Sequence, residues 1–160
     1  MIPLIRAQTG TAPCPSWHQI CEWERMTDTT APARRIHILV AEDDAEMRTL
    51  VVDTLERDGY VVDAVRDGGE VMTRITDSYR ATPSYPRVDL IVTDVRMPVS
   101  SGLDLVDAMR NAKWTIPIVI MTAFGDASTR ARAEALGATL LDKPFKMGEL
   151  RAVVRDKLSC

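Results

Sequence analysis

The chain predicts an α/β domain built on a parallel sheet. From Ile36 onward, strand-like and helix-like segments alternate five times, the pattern of successive β–α units. The strand-like runs are short, apolar and rich in Val and Ile, as strands covered on both faces should be. Four of them also end on residues that handle phosphate or metal. The run 36–41 leads into Glu42-Asp43-Asp44, 88–93 into Asp94, 118–121 into Thr122, and 138–141 into Asp142-Lys143-Pro144. In an open parallel sheet the ligand crevice lies outside the carboxyl ends of the strands, so these four endings can converge on one pocket.

Taken in order, the first strand is expected over 36–41. A helix over 45–58 follows, carrying Met47, Leu50, Val51, Thr54 and Leu55 at three- and four-residue spacing and stopping at Gly59. The second strand is 61–64, and an Asp67-Gly68 turn leads to a helix over 69–79. A connection over 81–87, with Pro83 and Pro86, precedes the third strand at 88–93; the helix over 103–112 follows Gly102. The fourth strand is 118–121, with a helix over 127–136 ending at Gly137, and the fifth is 139–141, with the last helix over 147–158.

Residues 1–34 read differently, with Pro3, Pro13, Pro15 and Pro32, scattered Thr and no sustained apolar period. Such a segment buries too little surface to offset its ordering entropy, so a disordered extension over 1–34 ahead of a domain over 35–160 is expected. Met26 offers an alternative start, and Trp17, Ile20 and Trp23 an alternative docking face at helical spacing.

With 160 residues, 46% hydrophobic and 27% charged, the chain has the make-up of one globular domain with a real core. A formal net charge of −3 gives no electrostatic footprint for DNA or anionic lipid, so protein partners are expected, with no direct nucleic-acid or membrane contact. Cys14, Cys21 and Cys160 are too sparse for a disulfide framework or a zinc site and read as free thiols. No segment matches a signal peptide or a membrane span of about 20 residues, so a cytoplasmic location is expected.

The strand-end residues resemble the receiver domain of two-component response regulators over about 36–159. The resemblance rests on Glu42-Asp43-Asp44 after the first strand, Asp94 after the third with Met97-Pro98 and Gly102 downstream, Thr122-Ala123 after the fourth, and Lys143-Pro144-Phe145 after the fifth. It implies a doubly wound, flavodoxin-like five-stranded parallel sheet in the order 2-1-3-4-5, with the switch point between the first and third strands.

Three clustered carboxylates call for a counter-charge, because two like charges about 4 Å apart repel by roughly 4 kcal/mol at an effective dielectric of about 20. A hard divalent cation with oxygen ligands fits, and Mg²⁺ binds through one or two carboxylates while also taking a phosphate oxygen. The resemblance implies Asp44, Asp94 and the backbone carbonyl of Arg96 as direct Mg²⁺ ligands, with Asp43 acting through water. It implies Asp94 as the phospho-acceptor, forming an aspartyl phosphate, with a sensor histidine kinase or histidine phosphotransfer protein as donor. Lys143, the Thr122 hydroxyl and nearby amides would take phosphoryl oxygens, and the small Ala123 would leave room for the group. A cis Lys143-Pro144 peptide is also implied.

The same resemblance frames the output. Many relatives carry an aromatic residue on the fifth strand, three before the lysine, and here that position is Leu140. Phe124 and Phe145 are the available substitutes, although both suit packing. Arg96 and Phe124, two residues after Asp94 and Thr122, occupy positions flanking the path of the hydrolytic water, which implies slow phosphate loss. The resulting expectation is a stand-alone receiver, not a conventional enzyme, acting through protein contacts on a downstream partner. A pseudo-receiver that binds without being phosphorylated is one alternative. A haloacid-dehalogenase-type phosphatase is another, but it needs a second Asp where this chain has Arg96.

Overall fold

The computed structural model describes residues 34–79, 87–98 and 100–159. The expected N-terminal extension, its Trp17, Ile20 and Trp23 face, Met26, the three cysteines and the connection over 81–86 lie outside the described residues. Among the described residues, five strands and five helices alternate: β1 His37–Ala41, α1 Ala45–Arg57, β2 Val61–Val65, α2 Gly68–Tyr79, β3 Leu90–Asp94, α3 Gly102–Asn111, β4 Ile118–Thr122, α4 Ala127–Ala135, β5 Thr139–Asp142 and α5 Met147–Leu158. All strand pairs are parallel and the order is β2-β1-β3-β4-β5, as the resemblance implies.

Alternation along the buried strands divides the core in two. Ile38 and Val40 of β1, Leu90 and Val92 of β3, and Val119 and Met121 of β4 face Val51 and Leu55 of α1 and Leu150 and Val154 of α5. Leu39, Ile91, Ile118 and Ile120 point the other way, onto Val71 and Ile75 of α2, Leu105, Val106 and Met109 of α3, and Ala133 of α4. A period of two in a strand sends successive side chains to opposite faces, so each central strand anchors both helical layers. All residues of β1, β3 and β4 are buried, whereas β2 and β5 at the edges are mostly half-exposed.

Helix ends follow local chemistry. Asp44, Ser101 and Asp126 cap α1, α3 and α4, each side chain accepting from a backbone N–H of the first turn. Gly59 and Gly137 take positive φ after α1 and α4, where a glycine escapes the Cβ clash. Arg151 of α5 makes a two-pronged ion pair with Asp58 at the end of α1, and its hydrogen bonds hold the Asp58 carboxyl below the usual range.

The start of β3 departs from the sequence expectation. Val88 and Asp89 stand outside the strand because the Val88 amide donates to the Ser78 hydroxyl at 2.8 Å, while Asp89 uses its carboxylate and its own amide on His37. Asp94, Thr122 and Asp142 are the last residues of their strands rather than the first beyond them.

Gly102 sets how the β3–α3 loop closes on the site. Its amide donates to the Val95 carbonyl at 3.0 Å, and a Cβ there would overlap the Asp94 carbonyl oxygen. Backbone cannot move aside as a flexible side chain can, so Gly102→Ala is expected to cost about 1–3 kcal/mol. Urea unfolding of the two proteins checks this, and an unchanged midpoint would contradict the crowding.

Candidate phospho-acceptor and metal site

The register of the sheet assembles the site. Ala41 pairs with Thr93, Asp94 with Met121, and Thr122 with Asp142. Glu42 and Lys143, one residue beyond their strands, therefore emerge beside Asp94 and Thr122 at one edge. The Lys143 ammonium lies 2.7 Å from Glu42 Oε2 and 3.1 Å from Asp94 Oδ1, joining the first and last strand ends across 101 residues of sequence. Lys143-Pro144 is cis, and the Lys143 amide donates to the Thr122 carbonyl at 2.6 Å.

Glu42, Asp43 and Asp94 each offer a carboxylate oxygen within 4.8 Å of the others. Asp44, the expected direct ligand, does not join this group. Its Oδ1 accepts from the Met47 amide at 2.7 Å, because a helix that begins at Ala45 needs its cap at position 44. The carboxylates that the structure groups with Asp94 are thus those of Glu42 and Asp43, whereas the sequence expectation pairs Asp43 with Asp44. Glu42, to which the sequence reading gave no role, is 1% exposed, and both its oxygens are engaged, Oε1 by the Asp44 amide and Oε2 by Lys143. Asp43 is exposed. The signal that identifies the pair is the cap itself, since the acid immediately before the helix is already committed.

Asp94 is 7% exposed; its Oδ2 accepts from the Arg96 amide at 3.0 Å, leaving Oδ1 on the lysine. Thr122 is buried, and its hydroxyl accepts from the Phe124 amide at 3.1 Å, which leaves its own O–H to donate. Ala123 is exposed at the mouth.

The remaining candidates sort by packing. Leu140 sits half-buried against the α2–α4 side of the core, and Phe145 packs against the α1–α5 side. Phe124 is not a packing residue: it is 64% exposed, and the Arg96 guanidinium lies 4.4 Å from its ring centroid, a cation–π distance. The backbone of 123–125 leaves the sheet before its side chain can reach the core, so an apolar residue type here gives an exposed ring.

Three carboxylates against one ammonium leave an excess of negative charge, and the oxygen-only donor set fits a hard divalent cation. Burial pushes the Glu42 carboxyl above its usual range, and the nearby Asp94 charge adds to this against the opposing pull of Lys143. Burial alone would lower the Lys143 ammonium, but its hydrogen bonds and charge contacts with Glu42 and Asp94 win and raise it.

A raised carboxyl binds its proton more tightly folded than unfolded, so through Glu42 the metal-free protein loses stability as pH rises above the carboxyl's ordinary value of 4.5. Glu42→Gln should remove that part of the slope and narrow the stability difference between pH 5 and pH 7.5 (conditions of about these values). Urea unfolding in chelator checks it, and identical slopes for the two proteins would refute the assignment.

A family model described as the response regulator receiver domain matches residues 38–155. The two-component response regulator PhoP of Pseudomonas aeruginosa is 36% identical over 116 residues, covering 72% of this chain and 48% of that protein. The transcriptional regulatory protein CpxR of Escherichia coli is 34% identical over 119 residues, covering 74% and 47%. The chain spans about half the length of these curated relatives. Among solved structures, the Vibrio cholerae chemotaxis protein CheY4 superposes with a TM-score of 0.66 at 29% identity, covering 78% of this chain and 100% of that one. Among the described residues no helix is long and apolar enough to cross a membrane. The strand order, the strand-end site and the match over 38–155 agree, and the chain belongs to the response regulator receiver domain family of two-component systems.

Proposed function

We propose that Asp94 is phosphorylated by a histidine kinase or histidine phosphotransfer protein in an Mg²⁺-dependent reaction, and that the phosphorylated domain acts through protein contacts. The observation that carries this reading is the position of Asp94 between the Lys143 ammonium and the Arg96 amide, within a carboxylate cluster that one lysine leaves under-compensated. Asp43 and Asp94 would hold the ion, with Glu42 behind them fixing the lysine. The ion supplies charge neutralisation on the phosphoryl oxygens.

The remaining chemistry belongs to the chain. A carboxylate oxygen of Asp94 forms the new O–P bond as the N–P bond of the phosphohistidine breaks, and the electron pair leaves with the imidazole nitrogen. Lys143 uses two of its three N–H groups on Glu42 and Asp94, and the third is left for a phosphoryl oxygen. The Thr122 O–H and the backbone amides of the β4–α4 loop supply further donors where charge develops. The mild net charge of −3 supports protein rather than nucleic-acid contact for this domain, although relatives such as CpxR are named as transcriptional regulators.

Incubation with acetyl phosphate should add one phosphoryl group by intact mass, dependent on Mg²⁺ and lost in Asp94→Asn. Asp43→Ala should weaken Mg²⁺ binding by about tenfold or more, whereas Asp44→Ala should keep it and lose about 1 kcal/mol of stability with the cap. No adduct under any condition would favour the non-phosphorylated binding module, and turnover of a phosphomonoester would favour the phosphatase.

The Arg96–Phe124 stack joins the β3–α3 loop that follows Asp94 to the β4–α4 loop that follows Thr122. A cation on a ring obstructs an attacking water, so slow phosphate loss is the expected behaviour. The double variant Arg96→Asn, Phe124→Ala should lose phosphate severalfold faster by the decay of the mass adduct; an unchanged half-life would contradict the obstruction.

A further inference from the structure

A second cleft of about 700 Å³ opens beyond the carboxyl end of edge strand β2, lined by Arg48 of α1, Arg66 just after β2, and Gly69, Glu70, Thr73 and Arg74 of α2. It contains none of Asp94, Thr122 or Lys143. We propose that this cleft binds a small polyphosphate anion through Arg48, Arg66 and Arg74, the three arginines of its lining.

Charge is the first argument. Three cations and one carboxylate line the cleft, which leaves the lining net positive, and Glu70 Oε2 accepts from the Arg66 backbone amide at 2.9 Å, which fixes that carboxylate against the loop after β2. Arg48 is half-buried and directs its Nη1 to the carbonyl oxygens of Glu42 at 2.7 Å and Asp43 at 3.2 Å. Those acceptors fix the side chain without neutralising it. This contrasts with Arg130, Arg132 and Arg151, each of which pairs with a carboxylate.

Shape and lining argue for the ligand class. The cleft has the volume of a small-molecule site, and its lining holds no aromatic ring for a base to stack on. Gly69, exposed in the first turn of α2, puts no side chain between the backbone and the opening. Planar guanidinium groups bind phosphate oxygens in pairs, so a diphosphate satisfies three of them better than a single phosphate does. Because Arg48 also holds the Glu42 and Asp43 carbonyls, the cleft adjoins the acidic loop through one side chain.

The test is titration of the isotope-labelled full chain with pyrophosphate, without Mg²⁺, followed by backbone amide shifts. Saturable shifts at Arg48, Arg66 and Gly69 with a Kd of about 1 mM or tighter are expected, with smaller ones at Ala123 and Phe124. Arg66→Ala, on an exposed side chain, and the double variant with Arg74→Ala should each weaken binding by about tenfold or more. ADP should shift the same amides. Equal affinity assigns recognition to the diphosphate alone, and tighter ADP binding adds a nucleoside contact to the same site. Shifts centred on Ala123 and Phe124, wild-type affinity in both variants, or no saturation would each overturn the proposal. Without Mg²⁺ or a phosphodonor, these outcomes are independent of whether Asp94 is phosphorylated.

Discussion

One ammonium holds the functional edge of this fold together. Lys143 reaches across the strand ends to Glu42 and Asp94, and without it the three clustered carboxylates would lose the ammonium that pairs with two of them in a partly desolvated mouth. Removing one partner of such a pair leaves an uncompensated charge, which is far more costly than never having built the pair. The fully buried strands β1, β3 and β4 meet that demand structurally: apolar on both faces, they cannot slip in register without exposing a core residue. The placement of Glu42, Asp94 and Thr122 is thus inherited from hydrophobic packing well below the site.

The loops carry the second level of constraint. At the β3–α3 junction, Gly102 lets the chain pass against the Asp94 backbone. At the β4–α4 junction, Arg130 donates to the Gly125 carbonyl at 3.0 Å and pairs with Asp142, and a side chain on Gly125 would overlap that same carboxylate. Asp126 then caps α4 through the Thr129 amide. These are short-range polar contacts on an exposed surface, individually weak, and they act by limiting where the backbone around Thr122 can go.

The fold was legible because the signals were redundant. Each central strand is an apolar run bounded by turn chemistry, and each helix repeats its apolar residues at helical spacing, so several levels of pattern agree. The site was legible as a set of strand ends, but its acidic pair was not, because Glu42-Asp43-Asp44 is degenerate by composition. Which acids group with Asp94 depends on where β1 stops and α1 begins: Asp44 is spent on the α1 cap, while Glu42 and Asp43 bring carboxylate oxygens near Asp94. The start of β3 failed for a different reason: Val88 is apolar like its neighbours, but its amide is claimed by Ser78, ten residues away. Phe124 misled because residue type implies burial only where the backbone brings the residue to the core.

Leu140 at the usual aromatic position removes a ring, but it does not remove the connection between Thr122 and the fifth strand. The Thr122 carbonyl accepts from the Lys143 amide, its hydroxyl accepts from the Phe124 amide, and the loop beyond is tied through Arg130 to Asp142, the residue preceding the lysine. A displacement of Thr122 would therefore strain contacts that end at the carboxyl end of β5. Two packed arrangements of such a loop are separated by discrete hydrogen bonds rather than by a continuous deformation, the condition under which a local charge can bias a two-state surface. In this chain that bias would pass through amides and an exposed ion pair, so it would weaken with ionic strength in a way that coupling through a buried ring would not.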